Sequence, residues 1–121
     1  MKQIKTLEGI FSLDHNIRLY IPSTKDIDKK INNTGYRGFI NEALTKFGSW
    51  FGGATSFKAI GSWVSTSKGL IVEKITIVES YCDNKAVEAH LKDVIAFAKR
   101  IKIELKQGAI SLEYDNKLYF I

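Results

Sequence analysis

Cysteine is nearly missing from these 121 residues. Cys82 stands alone, so no intrachain disulfide framework can form, and the chain fits a reducing compartment. Proline is as rare: Pro22 is the single one, which argues against a Pro-rich linker or a disordered tail. No long apolar run occurs, and Met1 to Leu13 interleaves Lys, Gln and Glu with apolar residues, so neither a signal peptide nor a membrane span is expected. The two histidines, His15 and His90, stand far apart and belong to no Cys pair or carboxylate–His motif. A metal site and a cofactor are therefore not expected, and each His reads as a surface residue. Arginine is scarce too. Arg18, Arg37 and Arg100 are the only ones among 18 basic residues, whereas a protein that reads duplex DNA leans on Arg for bidentate base contacts.

What is present describes one soluble domain spanning 1–121. Apolar content of 45% and charged content of 26% are ordinary for a globular protein. A chain of this size buries roughly two thirds of its unfolded surface. The net charge of +5 favours anionic partners such as nucleotides or nucleic acid.

Periodicity lays out the elements. Residues 1–14 have no clean period and suit an arm or a short strand. His15 to Ile21 alternates Ile17, Leu19 and Ile21 with Arg18 and Tyr20, a strand stopped by Pro22. Ser23 to Gly35 is polar and reads as a loop with one helical turn at most. Tyr36 to Trp50 places Tyr36, Phe39, Ile40, Ala43, Leu44 and Phe47 on one helical face, with Thr34 as N-cap and Gly52-Gly53 as the stop. Ala54–Ser65 and Leu70–Cys82 form a hairpin around Thr66 to Gly69. Asp83 or Asn84 caps a second helix that runs to about Gln107, its buried stripe being Val87, Leu91, Val94, Ala98, Ile101 and Leu105. Ile110 to Tyr114 and Leu118 to Ile121 close the chain as two strands around Asp115-Asn116. The order β-α-β-β-α-β-β predicts an α+β ferredoxin-like sandwich: an antiparallel sheet of about five strands with two main helices. On Leu70–Cys82 both faces are apolar. One face suits the helices and the other a partner subunit, so a homo-oligomer is expected.

The residues that could carry chemistry cluster around the glycine corner. Gly52 and Gly53, followed by Thr55, could offer amides and a hydroxyl to an anion, though the P-loop lysine and the Rossmann spacing are missing. Arg37 and Lys58 supply positive charge. Trp63 and Tyr81 could stack on a base, and Gly61 leaves room beside the Trp63 indole. Glu73 sits among apolar neighbours and needs a partner, such as Arg37, Lys58 or a ligand hydroxyl. These eight residues, Arg37, Gly52, Gly53, Thr55, Lys58, Trp63, Glu73 and Tyr81, make up the expected ligand site; no catalytic residue can be assigned. Lys85, Lys92, Lys99 and Lys106 recur every seven residues on one helix face, as a phosphate-backbone track or a solvated surface.

Phe51-Gly52-Gly53-Ala54-Thr55, Gly61-Ser62-Trp63 and Glu73 resemble the core of small uncharacterised proteins of bacteria, plasmids and phages. The terminal segments Gln107 to Ile110 and Leu118 to Ile121 fit the same likeness. In size, charge and absence of catalytic groups the chain is also similar to phage sponges that sequester immune nucleotide signals. The resemblance implies non-catalytic capture of a small phosphorylated ligand, a cyclic nucleotide, in the cytoplasm of a bacterial host. The alternatives are a nucleic-acid-binding accessory protein of a mobile element and a small enzyme using Glu73 or Tyr81 in acid–base chemistry.

Overall fold

A computed structural model describes residues 5–25, 29–30 and 33–121. After a short 3-10 turn at Lys5–Leu7 come β1 (His15–Pro22), β2 (Thr24–Lys25), β3 (Lys29–Lys30), α1 (Asn33–Phe51), β4 (Thr55–Ser65), β5 (Gly69–Cys82), α2 (Asn84–Glu104), β6 (Ser111–Tyr114) and β7 (Lys117–Phe120). Five strands form one sheet in the order β4-β5-β1-β6-β7, every pairing antiparallel. This is the expected ferredoxin-like arrangement, extended by β7 at one edge.

The alternation in β1 decides which face the helices cover. Ile17, Leu19 and Ile21 are fully buried and meet Val78 and Cys82 of β5 and Leu112 of β6. From above, α1 contributes Ala43, Phe47 and Phe51, and α2 contributes Val94, Phe97, Ala98, Ile101 and Leu105. Asp83 caps α2 by accepting a hydrogen bond from the Ala86 amide at 2.9 Å. The opposite sheet face, carrying Arg18, Tyr20, Phe57, Glu73, Ile75, Ile77, Glu79 and Tyr81, has no helix over it.

Four local expectations change. Helix α1 begins at Asn33, so Thr34 lies inside its first turn rather than at the cap. The polar stretch after Pro22 is not all loop before α1 begins at Asn33: it contains a two-stranded ribbon, β2–β3; Asp26 and Asp28 lie outside the described residues. Helix α2 ends at Glu104, short of Gln107, and Lys106, with φ of 50°, takes a left-handed turn after it. No strand forms in residues 5–14.

The hairpin outgrows the rest of the sandwich. Strand β1 ends with Pro22 opposite Ile75, so most of the segment from Gly69 to Lys74 pairs with β4 alone. Val64, Leu70 and Val72 on this overhang are 59–75% exposed, beyond the reach of α1 and α2. Gly61 has a specific reason to be glycine: a Cβ there would lie 2.6 Å from Cδ1 of Ile75, whose side chain crosses it from the neighbouring strand. Ile75, rather than the Trp63 indole, fills the space that Gly61 leaves.

Candidate functional site

Among the described residues a cleft of about 790 Å³ lies between the start of α1 and the β4–β5 hairpin. It is lined by Tyr36, Arg37 and Ile40 of α1, Lys58, Ala59 and Ile60 of β4, and Lys74, Ile75 and Thr76 of β5. Strand alternation explains the set, since Lys58 pairs with Thr76 and Ile60 with Lys74, all four pointing to the helix side. The Tyr36 hydroxyl meets the buried Thr76 hydroxyl at 2.5 Å, which ties the first turn of α1 to the sheet. Burial pushes the Tyr36 phenol up; the Thr76 hydrogen bond opposes this, and the Glu73 carboxylate adds to it. Among the described residues no carboxylate pairs with Arg37, Lys58 or Lys74.

The eight expected site residues do not converge. Arg37 and Lys58 share the cleft. Gly52, Gly53, Thr55 and Tyr81 line a second, shallower groove of about 420 Å³ with Leu13, Phe51, Ala54, Glu79 and Ser80. The Gly52 amide is not free for an anion: at φ +88° the residue closes α1, and its N–H donates to the Gly48 carbonyl at 2.9 Å. The Gly53 carbonyl accepts from the Ser80 hydroxyl at 2.6 Å. Glu73 faces the open side of the sheet, in a small cavity with Tyr20, Pro22, Ile75 and Gln107, and accepts a hydrogen bond from Thr24. Its expected partners Arg37 and Lys58 lie on the other face. Trp63 stands opposite Ile71 on the overhang, half exposed. Eight residues of extended strand separate it from Thr55, about 26 Å.

Two polar clusters escaped the sequence reading. On the open sheet face Arg18 bonds Glu79 through Nε and lies 3.8 Å from Glu113, while the Tyr20 hydroxyl donates to Glu113 at 2.9 Å. The Glu79 hydrogen bond raises the Arg18 pKa further, and burial, with the Glu113 hydrogen bond next, raises that of Tyr20. The only signal was that Arg18 and Tyr20 alternate with the buried Ile17, Leu19 and Ile21. At the sheet's lower edge His15 is largely covered instead of exposed. Its Nδ1 lies 2.6 Å from Asp115, its Nε2 faces the Asn84 side-chain oxygen, and its ring stacks on Tyr114 with centroids 5.7 Å apart. Both ring nitrogens face oxygens, which suits the cationic imidazole and leaves no lone pair for general-base work. Cys82, across from His15 on β5, is buried with its thiol pushed up to about 11, far from a reactive thiolate.

The helix surface carries less. His90 stacks on Trp50 with centroids 5.8 Å apart and pairs with Asp93 at 2.9 Å. Lys85, Lys92, Lys99 and Lys106 are all exposed. Among the described residues no group of three His, Cys, Asp or Glu gathers as a metal set, and no helix is long and apolar enough to cross a membrane.

No protein-family model and no curated protein matches the chain. Two solved structures share its fold almost from end to end. One is a phage SAM lyase in its apo state, with TM-score 0.65 and 15% identity over 94% of this chain and 93% of that one. The other is a phage SAM lyase in complex with S-methyl-5'-thioadenosine, with TM-score 0.62 and 13% identity over 93% of this chain and 94% of that one. The likeness establishes a common α+β architecture. It also overturns the expectation of a non-catalytic sponge for a cyclic nucleotide, because the structures that share the fold are lyases.

Proposed function

We propose that this chain is a small lyase, of phage or prophage origin and acting in the cytoplasm of a bacterial host, that cleaves S-adenosylmethionine or a closely related adenosyl sulfonium. The observation that carries the reading is the shared fold, from first strand to last, with a phage SAM lyase in both its apo and S-methyl-5'-thioadenosine-bound states. The cleft at α1 supports it: its volume lies in the range of small-molecule sites, and its wall joins Ile40 and Ile60 to Tyr36 and three cations.

The chemistry follows from the product. S-Methyl-5'-thioadenosine is S-adenosylmethionine without its aminobutyrate arm. Releasing it breaks the bond between the sulfonium sulfur and Cγ of that arm, and the electron pair passes to sulfur and cancels its charge. Without water as reactant, the arm can leave by internal displacement at Cγ or by elimination. The substrate's own carboxylate can attack Cγ and close homoserine lactone, with no net proton transfer. A base can instead remove a Cβ proton and leave vinylglycine. Among the described residues the cleft lining holds no carboxylate or imidazole to act as that base, which favours the lactone. The two charges that cancel attract more strongly in a partly apolar cleft than in water. The protein's contribution is then to fold the arm into an attacking conformation.

The test is direct. Purified protein incubated with S-adenosylmethionine should yield S-methyl-5'-thioadenosine and homoserine lactone in equal amounts, read by chromatography and NMR. Vinylglycine in place of the lactone would overturn the route, and no cleavage together with no binding would overturn the function.

The chain is proposed to work as a homo-oligomer. The exposed Val64, Leu70 and Val72 on the overhang, and Phe120 on β7, form apolar surface that one chain does not cover. A second copy seated there would also bring Trp63 near a neighbouring subunit.

A further inference from the structure

The cleft wall is electrically one-sided. Arg37, Lys58 and Lys74 line it, and no described carboxylate or histidine does. Their placement is set by the fold. Lys58 pairs directly with Thr76, and Lys74 lies two residues along β5 on the same face, so the two lysines are diagonal neighbours. Such neighbours stand about 7–8 Å apart at their backbones, a span that one small anion between the side chains can bridge. Arg37 follows Tyr36, whose hydroxyl is held on Thr76, the direct partner of Lys58. The anchored tyrosine fixes this turn of α1 over the strands, and Arg37 lines the same cleft as the two lysines. Like charges gathered in one cavity repel, and each gains from an anion placed among them.

Resting on the lyase reading, we propose that Arg37, Lys58 and Lys74 hold the α-carboxylate of the substrate's aminobutyrate arm and make the site selective for adenosyl sulfonium compounds that carry an acid on that arm. One carboxylate oxygen held by the cations leaves the other directed back along the arm toward Cγ. The three residues position the nucleophile that the substrate itself supplies; they take no proton.

Calorimetry with two non-reacting thioethers isolates the carboxylate. S-Adenosylhomocysteine has it; S-adenosyl-3-thiopropylamine keeps the adenosine, sulfur and ammonium but lacks it. The wild-type protein should bind the first about tenfold or more tightly than the second, as expected for charge-assisted hydrogen bonds. In Arg37→Gln/Lys58→Gln that ratio should collapse toward one, while the affinity for S-adenosyl-3-thiopropylamine stays the same. Circular dichroism and the thermal midpoint report whether the variant is folded, and Lys74→Gln gives a milder second variant. Equal affinities for the two compounds in the wild type would overturn the carboxylate site and leave cleavage of S-adenosylmethionine standing. If neither compound binds and S-adenosylmethionine is not cleaved, the lyase reading falls and the carboxylate site with it.

Discussion

His15 on β1 and Asp115 in the β6–β7 turn are joined at 2.6 Å, although they are 100 residues apart in the chain. The Asp115 carboxylate also accepts the Asn16 amide at 2.9 Å, and Asn84 at the start of α2 takes the other side of the imidazole. Three elements thus meet on one ring. Hydrogen bonding to Asp115, then to Asn84, raises the His15 pKa above 6.5. The Asn16 amide, then His15, holds the Asp115 carboxyl below 3.8.

The pH dependence of stability follows from these directions. A raised histidine pKa stabilises the fold fully below pH 6.5, and this contribution is lost as pH rises through the folded value. A depressed aspartate pKa stabilises above pH 3.8, and this contribution is lost as pH falls through the folded value. His15→Gln should therefore lower the thermal midpoint most between about pH 4 and 6.5 and less as the pH rises through the raised value. Melting curves of the two proteins across pH check this; a constant difference would show that the imidazole charge plays no part.

Gly61 should resist enlargement. Gly61→Val places branched carbons where Cδ1 of Ile75 lies, and overpacking of this kind costs about 1–3 kcal/mol. Urea unfolding should show the loss. Combining it with Ile75→Ala should cost less than the sum of the two single changes, because the collision disappears. Strict additivity would mean that Ile75 moves aside freely.

Tyr36→Phe should destabilise by about 1 kcal/mol, because the buried Thr76 hydroxyl loses its partner. The double change Tyr36→Phe/Thr76→Val should recover part of that loss. Urea unfolding of the single and double variants measures both, and a fully stable Tyr36→Phe would mean that water or a backbone group replaces the phenol.

Self-association should depend on the overhang. Val64→Lys with Leu70→Glu removes an apolar cross-strand pair that no helix covers and sets opposite charges in its place, so the thermal midpoint of the isolated subunit should change little. Light scattering should report a smaller particle than for the wild type. A wild-type monomer at micromolar concentration would end the oligomer proposal.

The element types and their inward faces are written locally in the sequence. Ile17, Leu19 and Ile21 declare a strand and its buried side by alternation alone, and Val94, Ala98, Ile101 and Leu105 declare a helix stripe by spacing alone. The hairpin faces were equally legible, since Leu70, Val72, Val78 and Cys82 share a side whatever covers them. The candidate site was legible only in pieces. Arg37 and Lys58 do meet, but Glu73 points through the sheet to the opposite face, and the glycine corner opens onto a different groove. What decided these placements is the strand order. Seating β1 between β5 and β6 brings Arg18 to Glu79 and Glu113, and His15 to Asp115, across separations that no local period encodes. Periodicity records how a segment meets the solvent boundary; which segments become neighbours depends on burying all their apolar faces in one core, and only the assembled tertiary structure settles that.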